Sequence, residues 1–176
     1  MKETANPMRI ICERPFRRTY MSDNEKFADA ARKYMDTVYR VAYSWLRNPD
    51  DANDVTQNTF LKLYSADKEF ESESHLKNWL IRVAINECKS VFRSPWSKNE
   101  DIDDYAESLQ FEKEDYRFLF DAVMSLDKKY RVPLMLFYYE GYKTAEISSI
   151  LGIPEKTVST RIFRAKAKLK EYLKED

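Results

Sequence analysis

The sequence predicts an all-α protein, with two small helical domains joined by an acidic flexible linker and a helix-turn-helix in the second domain. Two observations predict this fold class. Glycine occurs only twice in 176 residues while charged residues make up 34% of the chain, a composition that favours helices. Apolar residues also recur at three- and four-residue spacing along most of the chain, which is the period of an amphipathic helix.

The composition and net charge of the chain exclude several classes of protein. The formal net charge is zero, so binding to nucleic acid would have to come from local separation of charge. Two glycines cannot form a glycine-rich phosphate loop, and Cys12 and Cys88 lie too far apart in sequence to indicate a disulfide framework or a zinc site. No apolar run approaches the ~20 residues of a membrane span, and the N-terminal region lacks a signal-peptide pattern. We therefore expect no cofactor, no metal, no membrane insertion and a cytoplasmic location.

The first domain is predicted over residues 24–94, after a flexible N-terminal arm at residues 1–23. A long helix from Glu25 to Leu46 is indicated by one continuous apolar face. Asn48-Pro49 ends it, and Asp50 or Asp51 is expected to cap a second helix from Ala52 to Tyr64. The outward face of this second helix is polar without a basic excess, which favours contact with protein over contact with DNA. Its members are Asp54, Gln57, Asn58 and Lys62.

A polar loop containing Phe70 precedes a third helix, predicted from Leu76 to Arg93. At about 100° per residue, one quarter of its circumference carries only donors and cations: Asn78, Arg82, Asn86, Lys89 and Arg93. Aromatic residues flank this stripe, although Trp79 is expected in the core. Cations interleaved with flat rings suit single-stranded nucleic acid. The alternative is a solvated face over core aromatics.

Residues 95–115 are predicted to be the linker. Between Ser97 and Asp115, eight acids face two lysines, and such self-repulsion keeps a segment extended. The second domain, residues 116–176, begins with helices from Tyr116 to Leu126 and from Lys129 to Tyr139. The latter contains an apolar run around Pro133, which should form the core of this domain, with the proline best tolerated in the first turn of its helix.

The helix-turn-helix is predicted from Lys143 to Lys170. A short helix ends at Gly152, and Pro154 suits the first position of the next helix. That helix buries a stripe and carries polar or basic residues elsewhere, with short or forked donors at its start and long lysines later. This order suits contacts with base edges at the start of the helix and contacts with phosphates further along it. An ordinary helical hairpin with a solvated basic face is the alternative. The buried stripe consists of Val158, Ile162, Ala165 and Leu169.

Three strings of the sequence resemble the extracytoplasmic-function sigma factors of bacterial RNA polymerase, in the sigma-70 family. Residues 51–64, DANDVTQNTFLKLY, are similar to the family's "DAEDLVQETFLKLW" segment, and residues 79–86, WLIRVAIN, to its "WLYRIARN" helix. The third string runs from Tyr130 through the helix-turn-helix. Asn58 replaces a usual glutamate, Asp127 a frequent proline, and Lys143 a common capping serine, for which Thr144 can substitute.

The resemblance implies a non-enzymatic factor that directs core polymerase to promoters and helps to open them. It implies that the polar face of the second helix docks on the clamp helices of the largest subunit, and that the second domain meets the polymerase flap. A membrane-anchored anti-sigma protein is a further implied partner. The implied polymerase-binding residues are Asp54, Gln57 and Asn58. Those for the minus-ten promoter element are Phe70, Asn78, Arg82, Asn86, Lys89 and Arg93. Those for the minus-thirty-five element are Glu155, Lys156, Thr157, Ser159, Thr160, Arg161, Arg164 and Lys168.

Two other classes of protein fit the sequence less well. A stand-alone helix-turn-helix regulator would explain Lys143 to Lys170, but it leaves the polar stripes of the first domain unexplained and usually needs a dimer surface. An enzyme is disfavoured because the single histidine, His75, lies in a polar loop and no nucleophile motif is present.

Overall fold

The computed structural model describes residues 19–66, 68–91 and 114–173, and within these ranges every regular element is an α-helix. The all-α prediction is thereby confirmed. The predictions for residues 1–18, for Arg93 and for residues 95–113 of the linker lie outside the described residues. The helices are α1 (Thr19–Leu46), α2 (Pro49–Ser65), α3 (Glu73–Val91), α4 (Glu114–Ser125), α5 (Lys128–Tyr138), α6 (Thr144–Leu151) and α7 (Glu155–Tyr172).

The first lobe consists of α1, α2 and α3, which pack on one another. Helix α1 begins at Thr19, six residues before the predicted Glu25, and so includes the last residues of the predicted arm. The lobe's core is apolar and fully buried, and Trp79 packs against it as predicted. Central members of this core are Val38, Ala42, Val55, Leu80 and Ala84.

The junction between α1 and α2 consists of Arg47 and Asn48. Arg47 has a positive φ of 57°, an uncommon conformation for a residue with a side chain. Asn48 is the N-cap of α2, and its side-chain oxygen accepts a 2.8 Å hydrogen bond from the backbone N–H of Asp51. The prediction that Asp50 or Asp51 would cap this helix is wrong, because Asn48 already occupies that position. Both aspartates lie in the first turn, where the helix dipole favours their charge.

The second lobe consists of α4 to α7. Its core contains buried side chains from α5, α6 and α7, among them Leu136, Ile147 and Val158. Pro133 lies inside α5 and is buried, one turn further along than the sequence suggested. The buried stripe of α7 is as predicted, with Val158, Ile162 and Ala165 buried and Leu169 packed against the core.

The turn between α6 and α7 depends on Gly152. Its φ of 69° is left-handed, and the N–H groups of Gly152 and Ile153 both donate to the carbonyl of Ser148, which ends α6. Pro154 is the N-cap of α7 and not its first residue.

The N-terminus of α6 differs from the expectation that Thr144 would act as its cap. Lys143 occupies the cap position, and its N–H donates to the carboxylate of Glu146 at 2.8 Å. The Thr144 hydroxyl bonds to Glu155 instead.

The two lobes share a hydrophobic cluster. Val41 of α1 and Ile81 and Ile85 of α3 pack into the same cluster as the core of the second lobe, because α1 lies against α5 and α3 lies against α6. Farther along α1, the rings of Tyr43 and Phe120 stack with centroids 6.2 Å apart. The structure is therefore a closed arrangement of the lobes.

Candidate nucleic-acid interface

The outer face of α7 carries an exposed set of donors and cations. The helix begins at Glu155, so the short polar residues stand in its first two turns and the lysines follow. Thr157 and Arg161 are half-buried, and the others are exposed: Glu155, Lys156, Ser159, Thr160, Arg164 and Lys168. The eight residues predicted for the minus-thirty-five element therefore all lie on α7, and none of them is buried.

A groove of about 530 Å³ runs beside this face and is bounded on its other side by the start of α5. Lys129 and Tyr130 contribute to it, and neither was among the candidates from the sequence. The amine of Lys129 lies 4.9 Å from the centre of the Tyr130 ring, and that of Lys168 lies 5.9 Å from the same ring. The groove is lined by Lys129, Tyr130, Pro154, Lys156, Thr157, Thr160, Arg161 and Arg164. Its positive charge suits a phosphate backbone.

Glu155 is the one acid in this set. Its carboxylate accepts a hydrogen bond from the Thr144 hydroxyl, so it fastens the start of α7 to the start of α6. Its charge also lies in the first turn of α7, where the helix dipole favours it. The Thr160 hydroxyl donates to the carbonyl of Lys156 at 2.8 Å.

The polar stripe of α3 is the second candidate surface. Arg82 and Asn86 are exposed, while Asn78 and Lys89 are half-buried. The guanidinium of Arg82 donates a 3.1 Å hydrogen bond to the hydroxyl of Ser149 in α6. Arg82 of this stripe therefore contacts the helix-turn-helix in the closed arrangement.

Phe70 lies at the end of the loop that leads to α3. Its ring is half-buried, makes edge contacts with Trp79 and His75 at 5.5 Å each, and has the amine of Lys68 at 5.7 Å. These contacts hold the ring next to α3, beside the stripe that contains Asn78 and Arg82.

The polar face of α2 lies apart from both surfaces. Asp54, Gln57 and Asn58 are exposed. Lys62, farther along α2, is paired with Glu87 of α3. The main packing partners of α2 are α1 and α3 of its own lobe.

The described residues contain no group of three or more histidine, cysteine or acidic side chains that could hold a metal ion. His75 accepts a 3.4 Å hydrogen bond from the N–H of Glu71 through Nδ1. None of the described helices is both long enough and apolar enough to cross a membrane.

Comparison with known proteins matches both lobes to family models. Residues 30–98 match the model described as "Sigma-70 region 2", and residues 119–169 match "Sigma-70, region 4". The chain is 26% identical to the ECF RNA polymerase sigma factor SigW of Bacillus subtilis, over 96% of this chain and 100% of the relative. It is 30% identical to the RNA polymerase sigma factor SigV of the same organism, over 72% of this chain and 78% of the relative.

A solved structure has the same fold. It is the sigma factor RpoE in complex with the anti-sigma factor NepR from Bartonella quintana, with a TM-score of 0.70 and 25% identity. The match covers 86% of this chain and 99% of that one.

Proposed function

The chain belongs to the extracytoplasmic-function sigma factors of the sigma-70 family, and on this basis we propose which of its surfaces binds polymerase and which bind each promoter element. Sigma factors are non-catalytic initiation factors whose partners are core RNA polymerase and promoter DNA. The chain accordingly directs core polymerase to specific promoters for transcription initiation. Catalysis of RNA synthesis belongs to the polymerase, and we propose that this chain has no enzymatic activity of its own, acts in the cytoplasm and is regulated by an anti-sigma partner.

The polar face of α2 is proposed to bind the clamp helices of the largest polymerase subunit. Asp54, Gln57 and Asn58 are exposed on one helix, which leaves them accessible to a protein partner. A face with one carboxylate and two amides is suited to a partner that presents hydrogen-bonding and basic side chains.

The stripe of α3 and the Phe70 ring are proposed to bind the minus-ten element as a single strand. The cations Arg82 and Lys89 would hold the backbone, the amides Asn78 and Asn86 would meet base edges, and Phe70 would stack on an unpaired base. Proximity supports this grouping, because the centre of the Phe70 ring lies 5.5 Å from that of Trp79, which precedes Leu80 and follows Asn78 in α3. Arg93 belongs to the proposed set from the sequence alone.

The outer face of α7 is proposed to read the minus-thirty-five element in the major groove. The first turns of α7 would meet the bases, and Lys129 and Lys168, whose amines both lie over the Tyr130 ring, would meet phosphates. The predicted domains, residues 24–94 and 116–176, are proposed to act on the two elements separately, with residues 95–115 as their tether.

One observation carries the proposal: five of the predicted DNA-facing side chains of α7 line one groove together with Lys129 of α5, and three of the five are cationic. The five are Lys156, Thr157, Thr160, Arg161 and Arg164. Run-off transcription from a promoter library, with purified bacterial core polymerase and this chain, tests it. We expect transcripts from a small class of promoters only when the chain is present. The absence of any promoter-specific transcript would contradict the proposed function. Equal binding to duplex DNA with and without polymerase would instead indicate a stand-alone regulator.

A further inference from the structure

One histidine fastens the loop that carries Phe70 to the start of α3. His75 lies in the first turn of α3 and is the single histidine of the chain. Its ring accepts a 3.4 Å hydrogen bond at Nδ1 from the backbone N–H of Glu71. Its own backbone N–H donates to the hydroxyl of Ser72 at 3.1 Å, which is the bond of a helix cap. His75 therefore holds both of the last two residues of the loop.

The same imidazole packs against the Phe70 ring. The centres of the two rings are 5.5 Å apart and their planes are inclined by 77°. Trp79, one turn further along α3, makes a second edge contact with Phe70 at 5.5 Å and 64°. Edge-to-face contacts of this kind favour one orientation of a ring over others. Two side chains from one side of α3 thus set the orientation of Phe70.

Burial alone does not fix this loop. The neighbours of Phe70 in the loop, Lys68, Glu69 and Glu71, are exposed, and Phe70 itself is only half-buried. A loop with so little buried surface has conformational freedom to lose when it binds a ligand. Contacts that hold the loop in its binding conformation beforehand reduce that loss and so favour binding.

The hydrogen bond from Glu71 also fixes where the ring of His75 carries its proton. A ring nitrogen that accepts an N–H donor has a free lone pair, so the proton of the neutral imidazole lies on Nε2. The contact with the loop backbone therefore requires an acceptor atom at the position of Nδ1.

We propose that His75 is a positioning residue of the minus-ten site, whose imidazole holds the backbone at Glu71 and the ring of Phe70 in the arrangement that receives an unpaired base. This inference rests on the proposed role of Phe70. His75 acts through Phe70, because its contacts in the loop are with the residues that place that ring.

The first test measures the hydrogen bond itself. Because the chain has one histidine, the ring nitrogens of His75 can be observed directly in the full chain without an affinity tag. Long-range proton–nitrogen correlation spectra at pH 8 report which nitrogen is protonated. We expect the proton on Nε2 in the folded chain and a mixture of both forms in urea. A proton on Nδ1 in the folded chain, or the same mixture in both states, would overturn the proposal.

The second test measures promoter melting with core polymerase, on a promoter recovered from the run-off library. Permanganate oxidises unpaired thymines, so their reactivity gives the melted fraction. His75→Leu keeps an apolar side chain but has no acceptor, and we expect it to reduce the equilibrium constant for melting about fivefold, the order of one hydrogen bond. His75→Asn should recover most of this loss, because its Oδ1 can accept near the position of Nδ1.

A double-mutant cycle with Phe70→Ala shows whether His75 acts through Phe70. The loss of about fivefold caused by His75→Leu should shrink to less than about twofold when Phe70 is already alanine. Glu69→Ala changes an exposed residue of the same loop and should melt the promoter at least as well as the wild type. Circular dichroism checks that every variant is as helical as the wild type.

The outcomes separate this inference from the proposed function. Equal melting by His75→Leu and the wild type overturns the positioning role, while an impaired Phe70→Ala would still support the minus-ten site. An equal loss from His75→Leu in both backgrounds also overturns it, because His75 would then act elsewhere. Full melting by Phe70→Ala would contradict the proposed role of Phe70, and the role of His75 would fall with it. The tautomer measurement uses only the wild-type chain, so it decides even where His75→Leu folds poorly.

Discussion

The guanidinium of Arg131 donates from Nε to the backbone carbonyl of Ser44 at 2.6 Å, across the boundary between the lobes. Its Nη1 donates to the carbonyls of Met124 and Leu126 at 2.9 and 2.6 Å. Ser44 and Met124 stand in the last turns of α1 and α4, where carbonyls have no partner within their own helix. One arginine therefore satisfies the C-terminal ends of two helices, with a positive charge where both dipoles favour it.

Substitution of Arg131 should destabilise the protein. Burial, and secondarily the nearby charge of Arg47, lowers the pKa of Arg131 to about 10, which still leaves it charged at neutral pH. Arg131→Met leaves three carbonyls without their donor, and we expect the free energy of unfolding to fall by roughly 2–5 kcal/mol. Arg131→Lys should recover little of this stability, because an ammonium group lacks the planar set of N–H donors that a guanidinium presents.

Urea denaturation followed by circular dichroism measures this loss. Arg32→Met removes an exposed arginine of α1 that pairs with the equally exposed Asp29, and it should change stability little. Equal stability of Arg131→Lys and wild type would show that the fork geometry is unimportant.

Gly152→Ala should weaken the helix-turn-helix through the backbone alone. A Cβ at this position would meet no atom within 4 Å, so the cost comes from the positive φ of 69° and amounts to about 1–2 kcal/mol. Gly152→Asn should cost less, since asparagine tolerates this region better. Urea midpoints of the two variants give the comparison, and a Gly152→Ala protein as stable as the wild type would contradict it.

Cys88 should make the protein sensitive to alkaline pH. Burial raises the pKa of its thiol from 9.0 to about 12. Between these values the unfolded chain releases a proton that the folded chain retains, so the free energy of unfolding falls as pH rises. Below pH 9 this contribution is constant. We expect Cys88→Ala to lose less stability between pH 9 and 11 than the wild type.

Thiol reactivity gives an independent measurement of the same burial. In a Cys12→Ser background at pH 8, a disulfide reagent should react with Cys88 on the order of a hundredfold more slowly in the folded than in the urea-unfolded chain. A rapid reaction in the folded state would show that α3 opens locally.

Asp54→Ala should reduce affinity for core polymerase. The side chain is exposed and alanine is a good helix former, so the helix itself should be unaffected. Fluorescence anisotropy of labelled protein with core enzyme measures the loss, and Glu69→Ala, an exposed acid in the loop before α3, serves as the matched control. An identical affinity in Asp54→Ala and Glu69→Ala would exclude this part of α2 from the docking face.

Arg161→Ala and Arg164→Ala should weaken recognition of the minus-thirty-five element by about 1–3 kcal/mol if the arginine reads a base. Lys168→Ala should instead weaken binding evenly across promoter sequences and reduce its salt dependence. Quantitative footprinting of the polymerase complex at several salt concentrations separates the two effects. Undiminished promoter preference in both arginine variants would contradict the proposed reading helix.

Much of the fold follows from local patterns that can be recognised in the sequence. Sequence patterns located each of the seven helices that the described residues form, and Gly152 marked the turn between the last two. Errors were confined to helix ends, such as Asn48 capping α2 in place of an aspartate, because several neighbouring residues there have suitable side chains.

The contacts between the lobes were not predictable in the same way. Nothing in the local sequence around Arg40, Lys77 or Glu140 indicates that their side chains meet, and Arg131 is notable only as part of a family string. Periodicity reports which face of a helix is buried and carries no information on which distant segment covers it. Lys129 and Tyr130 were missed for the same reason, since the groove forms only when α5 lies beside α7.

The covalent connection through residues 92–113 has a consequence for the closed arrangement. Because both lobes belong to one chain, their encounter is intramolecular, and its effective concentration is set by the length of the tether. Dilution or a change in cellular abundance would therefore leave the contacts between the lobes untouched. A bound partner, ionic strength or a substitution at the interface would act on those contacts directly.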